Sequence, residues 1–194
     1  MKSQVALTKT PANPDYDQIR AAMEKAMNLL GGIGDIVKVG QKILINPSWV
    51  TTITKREEAV ITLPEVTRAV ADIVKDAGAR PIIAESSAMG IDTERVIVES
   101  GYQQLRNMGY EVIDLKKTEF TMFPVENGKV FKKVETYRLV KEVDAIIPVA
   151  KLKTHDQAHL TLAIKKLKGL LTDKYKREFH QQGLFEGCVD WYEA

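Results

Sequence analysis

A repeated alternation constrains this chain more than any other feature. Short apolar runs, each ending in polar residues, are separated by longer stretches with helical periodicity. The runs are Lys42 to Ile45, 81–84, Glu111 to Leu115 and 143–150. Between the first two, Pro64 suits the first turn of a helix running to about Ala77, with Val66, Ala69, Val70, Ile73 and Val74 on its inner face and Gly78 ending it. Between the second and third, a helix from about Thr93 to Met108 is weakened by Gly101 and stopped by Gly109. Strands alternating with helices of this length mean βαβ units, so the expected class is α/β: a mostly parallel sheet with helices on both faces.

Three further segments complete the reading. The first dozen residues suggest a short strand running into a proline-bounded turn. Asp15 to Leu30 reads as an amphipathic helix capped by Asp15 or Asp17. The glycines that follow it, Gly31, Gly32 and Gly34, do not make a dinucleotide loop. That motif needs strand, glycines, helix, and here the order is helix, glycines, strand. Residues 51–61 read as a polar loop. Residues 120–138 alternate apolar and polar around Asn127-Gly128 and predict a β-hairpin inserted beside the main sheet. A helix is expected from about Thr161 to Leu171, burying Leu160, Ile164, Leu167 and Leu171 and exposing Lys165, Lys166 and Lys168. A partly helical tail follows.

With 194 residues, the whole chain is expected to form a single α/β domain that carries the hairpin as an insertion. Its 28 Lys and Arg nearly balance 26 Asp and Glu, a formal net charge of +2. That argues against a role coating nucleic acid or an anionic membrane, so any basic feature must be local. The basic 160s run also lacks interleaved aromatics for stacking bases. One cysteine, Cys188, excludes an internal disulfide and a protein-held iron–sulfur cluster. The start, MKSQVALTKT, has no apolar leader core, and no run is long enough to span a bilayer, so a cytoplasmic location is expected.

In an open parallel sheet, ligands bind beyond the carboxyl ends of the strands. Three predicted strands end in polar groups: Asn46-Pro47-Ser48, Glu85-Ser86-Ser87, and Lys151-Leu152-Lys153-Thr154-His155. In extended backbone Lys151, Lys153 and His155 point one way. Two ammonium groups and an imidazole repel one another, so the arrangement suits an anion, a carboxylate or a substrate oxygen, and repulsion would make one lysine a base or nucleophile. The plainer reading is a solvated strand end with flexible charges. Glu85 on the neighbouring strand end, as partner or metal ligand, favours a site. His155 and His159, four residues apart, would grip a metal on a helix, but a turn is expected between them. His180 reads as a surface histidine and Cys188 as a buried or incidental thiol.

The segments ILINPSWV, LPEVTRAVADIVKDAGARPIIAESS and DAIIPVAKLKTHDQAHLTLAIKKLKGL together resemble the domain-of-unknown-function 362 family, from about Val39 to about Asp190. Members are described as uncharacterised or as iron–sulfur proteins. The resemblance implies an α/β fold and, more remotely, a likeness to the N-terminal domain of nickel-pincer lactate racemases, in which lysines and histidines hold a pyridine-based cofactor. It carries Lys151, Lys153, His155, Lys165 and Gly169 over as motif positions. The chain departs from the family pattern in having Asn46-Pro47-Ser48 where Lys-Pro-Asn is usual, and Lys166 where Asn is frequent. It also lacks the segments with which many members continue, so it is expected to be either a short member or a fragment, and a fragment would expose an apolar sheet edge unless it forms a homodimer.

Two functions are expected from different classes. In the first, a small anionic molecule, cofactor or metal binds at the rim. Lys151, Lys153 and His155 are then the reactive or charge-neutralising groups, and Asn46, Ser48, Glu85, Ser86, Lys165 and Gly169 the binding groups. In the second, the chain is a non-catalytic accessory domain that docks a partner through the hairpin and the basic helix.

Overall fold

The computed structural model describes residues 4–52 and 60–194; most of the predicted 51–61 loop lies outside them. Helix α1 (Tyr16–Leu29) is capped by Asp15, whose side chain accepts the Gln18 N–H while the Gln18 side chain accepts the Asp15 N–H. Strand β1 (Lys42–Pro47), helix α2 (Pro64–Asp76), strand β2 (Arg80–Glu85), helices α3 (Thr93–Glu99) and α4 (Tyr102–Asn107) and strand β3 (Val112–Asp114) follow. The helix expected over 93–108 is therefore two helices. They part at Gly101, whose φ of +88° only glycine adopts readily. The short strand expected at the amino end does not form among the described residues.

Strands β4 (Phe120–Pro124) and β5 (Lys133–Tyr137) form the inserted hairpin, and helix α5 (Arg138–Glu142) leads into strand β6 (Ala145–Val149). The main sheet has the order β3-β2-β1-β6 and is parallel throughout. The chain builds outward from β1 through β2 to β3, then returns to place β6 on the other side of β1. The strand order therefore reverses between β1 and β6, where an open α/β sheet parts its connections and leaves a crevice.

Successive residues of β1 serve opposite faces. Ile43 and Ile45 join Val70, Val74, Val96, Ile97, Tyr102 and Leu105 beneath the first four helices. Leu44, with Ala84 of β2, joins Val134, Tyr137, Leu170, Leu171, Phe179 and Trp191 on the other face. That second layer consists of the hairpin and two carboxyl-terminal helices, α7 (Asp173–Gln182) and α8 (Leu184–Glu193). Both faces of the sheet are thus covered, as the α/β reading requires.

The hairpin forms where expected, but not around a two-residue turn. Its register pairs Pro124 with Lys133, leaving residues 125–132 as a long connection. The Asp190 carboxylate fastens this connection by accepting the N–H groups of Lys129, Val130 and Phe131 at 2.7–3.0 Å. Desolvation works to raise the Asp190 pKa, but those three donors outweigh it and hold the pKa below its ordinary value. A tertiary anchor has replaced the local Asn-Gly turn.

The largest departure lies at 153–171. Strands β7 (Lys153–His155) and β8 (His159–Thr161) form an antiparallel arm, with His155 opposite His159. A single turn, α6 (Ala163–Lys166), and a 3-10 turn at Leu167–Leu170 follow. No regular helix spans Thr161 to Leu171, so the burial predicted from helical phase is reversed at several positions. Leu160 and Ile164 are exposed, whereas Lys166 is buried.

Candidate functional site

The strand ends form a braced rim. At β1, the Ser48 N–H donates to Thr62 Oγ1, and that hydroxyl donates to the Val149 carbonyl at the end of β6, at 3.0 and 2.7 Å. At β2, Ser86 Oγ donates to the carbonyls of Gly169 and Leu171, at 2.7 and 3.2 Å. The Lys176 ammonium, reaching in from α7, binds the carbonyls of Ser86 and Ser87 and the Ser86 hydroxyl at 2.6–2.8 Å. Carbonyls leaving the sheet have no strand partner there, and a buried cation satisfies several at once.

Glu85, the last residue of β2, is 4% exposed and forms an ion pair with Lys166, which is equally enclosed. Asn46 lies against both. Its Nδ2 donates to the Ala84 carbonyl and to Glu85 Oε2 at 2.8 and 3.0 Å, and its Oδ1 accepts from Lys166 Nζ at 2.8 Å. Gly169 completes the packing, because a Cβ added there would lie 1.7 Å from Glu85 Oε1. A methyl group there would have to displace the buried Glu85 carboxylate, which Asn46 and Lys166 hold. Burial drives the Lys166 pKa down and Lys176 adds repulsion; the adjoining carboxylate acts in the opposite sense, so the pair is stable only as a unit.

Above this pair lies a cavity of about 190 Å³, lined by Ser48, Trp49, Glu85, Ser86, Gly169 and the side chains of five lysines: Lys153, Lys165, Lys166, Lys168 and Lys176. His155, His180 and Thr161 also line it. Among the described lining residues, Glu85 is the single carboxylate, so the electrostatic excess is strongly positive. A larger cavity, about 350 Å³, lies between α2 and the α3–α4 junction, but among its described lining residues Arg68 is the only basic side chain and no such cationic cluster gathers there.

Burial governs the titration of the rim cavity. It depresses Lys153 to about 8, with Lys165 and Lys151 adding repulsion, and Lys168 to about 8, with Lys165 the next cause. Lys176 falls to about 7, again through burial, although Asp173 pulls the other way. His180 falls to about 4 through burial and its neighbours Lys168 and Lys165. His180 is therefore neutral. Its Nε2 is engaged by the Lys168 ammonium, and its Nδ1–H donates to Gln157 Oε1 at 2.5 Å. The His155 ring stacks parallel to it, with centroids 6.1 Å apart. Burial and Lys165 push His155 below its usual value, against the pull of Asp156. Its Nδ1 accepts the backbone N–H groups of Gln157 and Ala158, closing the turn of the arm and leaving Nε2 as the other ring nitrogen.

The structure gathers most of the residues singled out in the sequence. Lys153, His155, Lys165, Gly169, Glu85, Ser86 and Ser48 all line the cavity; Asn46 lies behind its wall and braces Glu85. Lys151 does not line it. Strand β6 ends at Val149 and the arm begins at Lys153, so the continuous extension that would align Lys151 with Lys153 is interrupted. His159 is exposed, with a left-handed φ of +56°. Among the described residues no three His, Cys, Asp or Glu side chains gather as metal ligands. That donor set does not by itself specify the nickel centre of the remote racemase likeness.

Sequence reasoning missed Lys166, Lys168, Lys176 and His180. In the sequence alone the first two fall on the solvated face of the expected 161–171 helix, and His180 falls at the surface. One signal was available: Glu85 follows directly on the apolar run 81–84, and a carboxylate buried there requires a cation from elsewhere in the chain. Nothing local indicated which lysine would supply it.

A family model for the domain of unknown function 362 matches residues 43–193. A thylakoid-associated protein of Synechocystis sp. is 32% identical over 164 residues, an alignment covering 84% of this chain. The chain spans about half the length of that relative, 49% of it. Among the described residues no helix is long and apolar enough to cross a membrane.

Proposed function

This chain belongs to the domain-of-unknown-function 362 family, and from its geometry we propose that the rim cavity binds a small carboxylate or similar anion. One observation carries the reading: five lysines and two imidazoles converge on about 190 Å³ in which the single carboxylate among the described lining residues, Glu85, is already paired. Assembling cations in a partly dry site is costly, and an anion offsets that cost. Two buried hydroxyls of the lining, Ser48 Oγ and Thr161 Oγ1, have no hydrogen-bond partner among the described residues. Such groups cost about 1–3 kcal/mol each when left unsatisfied, and ligand oxygens are suitable partners.

Lys153 and Lys168 neutralise the ligand in this reading, and the Glu85–Lys166–Asn46 unit holds the floor rigid. Isothermal titration with oxalate tests it. Wild type should bind, and Lys153→Met with Lys168→Met should weaken binding by roughly tenfold or more per lysine, since each charge-assisted hydrogen bond contributes about 1.5–3 kcal/mol. Unchanged binding in the double variant would remove the proposal.

A second reading, docking of a partner protein, draws on β4, where Phe120 and Met122 are 64% and 38% exposed on its outward side. The hairpin lines no part of the rim cavity, so the two readings are independent. Replacing Phe120 and Met122 by Thr should leave oxalate binding intact while abolishing any partner interaction. A cytoplasmic location belongs to the proposal as well. The similar Synechocystis protein is described as thylakoid-associated, and recovery of this chain with membranes after cell fractionation would count against a cytoplasmic site.

A further inference from the structure

We propose that Lys165 is a nucleophilic amine that condenses with the carbonyl carbon of a small 2-oxo acid held in the rim cavity, forming a Schiff base. This rests on the anion-binding reading and names the substrate class of the same site. The observation behind it is a division of labour among the five lysines. Lys166 is committed to Asn46 and Glu85, and Lys176 to Ser86, Ser87 and Asp173. Lys153 donates to the Val60 carbonyl, and Lys168 engages His180. Lys165 lines the same wall, half-buried, yet among the described residues its ammonium has neither a hydrogen-bond acceptor nor an ion-pair partner.

A site needing only positive charge has no use for an unsupported, half-buried amine beside four anchored ones. An amine that must reach a ligand carbon has to be left unbonded. Burial also lowers the Lys165 pKa, which increases the fraction carrying a free electron pair. The step needs no oxidant or reductant. The Nζ lone pair forms a bond to the carbonyl carbon while the carbonyl π pair moves to oxygen, which takes up a proton. The nitrogen gives up a proton to the cavity, the hydroxyl leaves as water after protonation, and the C=N double bond forms. His155, neutral and with Nε2 not engaged in closing the arm's turn, lines the same cavity and is suited to ferry these protons. The carboxylate of the acid pairs with Lys153 and Lys168. The volume equals that of about six waters at roughly 30 Å³ each, which suits an acid of three or four carbons.

The experiment has two arms on the intact protein. Oxalate, a carboxylate without a ketone or aldehyde carbonyl, is titrated calorimetrically. In parallel, pyruvate is added with sodium cyanoborohydride, and the product is analysed by intact mass and peptide mapping. The expected result is oxalate binding in wild type, with a single reduced pyruvate adduct on Lys165 that is absent from Lys165→Arg. Oxalate binding with no adduct, or with adducts spread over surface lysines or unchanged in Lys165→Arg, overturns the Schiff-base proposal and leaves the anion site standing. A Lys165 adduct without oxalate binding upholds the amine and overturns the anion reading. Failure of both arms in a protein whose circular dichroism matches a folded α/β chain overturns both.

Discussion

The pair of Glu85 and Lys166 makes a quantitative demand on stability. Both side chains are about 5% exposed, and water cannot screen what remains if one charge is removed. At an effective dielectric constant of about 20, unit charges about 4 Å apart interact by about 4 kcal/mol. Breaking a buried pair by truncating one partner typically costs about 3–5 kcal/mol. Lys166→Met should therefore lose that amount, partly offset because Asn46 Nδ2 still donates to the stranded carboxylate. For a domain of this size, about 2–4 °C of melting temperature is lost per kcal/mol, so the midpoint should fall by roughly 6–20 °C. Glu85→Gln combined with Lys166→Met should recover most of the loss, because no buried charge is left uncompensated. The sign with pH follows. In Lys166→Met the folded Glu85 pKa lies above its unfolded value, so the folded state binds more protons between the two and stability falls as pH rises through that window. Thermal melts from pH 4 to 8 on wild type, both single variants and the double variant measure the coupling. A Lys166→Met variant within about 1 kcal/mol of wild type, or a double variant no better than the single, would refute the reasoning.

Other outcomes follow from the same packing. Gly169→Ala places a Cβ 1.7 Å from Glu85 Oε1 and 2.5 Å from its Cδ, so chemical denaturation should show a loss of about 1–3 kcal/mol from overpacking; a neutral result would mean that the carboxylate can move aside. The ligand-free protein should gain stability as pH rises from about 7 towards 10. Lys176 (about 7), Lys153 and Lys168 (both about 8) lose their protons in the folded state before they do so in the unfolded chain, and a flat or falling profile would contradict this. Oxalate binding near pH 8 should take up protons, because an anion recharges these lysines; calorimetry in buffers of different ionisation enthalpy reads the number, and zero uptake would oppose the assignment. Asp190→Ala strips the acceptor from three backbone N–H groups. It should cost more than about 2 kcal/mol and expose residues 125–132 to hydrogen exchange.

What was legible in the sequence was what local pattern controls. The apolar run at β1, alternating Ile43, Leu44 and Ile45 between two faces, required a sheet covered on both sides. Pro64 and Gly78 bounded α2, whereas Gly101, expected only to weaken one helix, parts α3 from α4. Strand ends in a parallel sheet share one rim by topology, so Ser48, Glu85, Ser86, Lys153 and His155 could be placed together before any coordinates. The long-range partners could not. A helical phase for 161–171 buries leucines and exposes lysines when the segment is considered alone. In the folded chain, the unpaired carboxylate of Glu85 takes Lys166 inward and leaves Leu160 and Ile164 outside. The Asn-Gly hairpin turn gave way to a Val125–Gly128 turn in a longer connection, whose next N–H groups, from Lys129 to Phe131, are taken by Asp190, some sixty residues later. Periodicity and punctuation determined the elements and the end of the sheet where a ligand could sit. The tertiary structure alone decided which charges face one another there, because a buried ion pair depends on proximity in space and leaves no trace in local spacing.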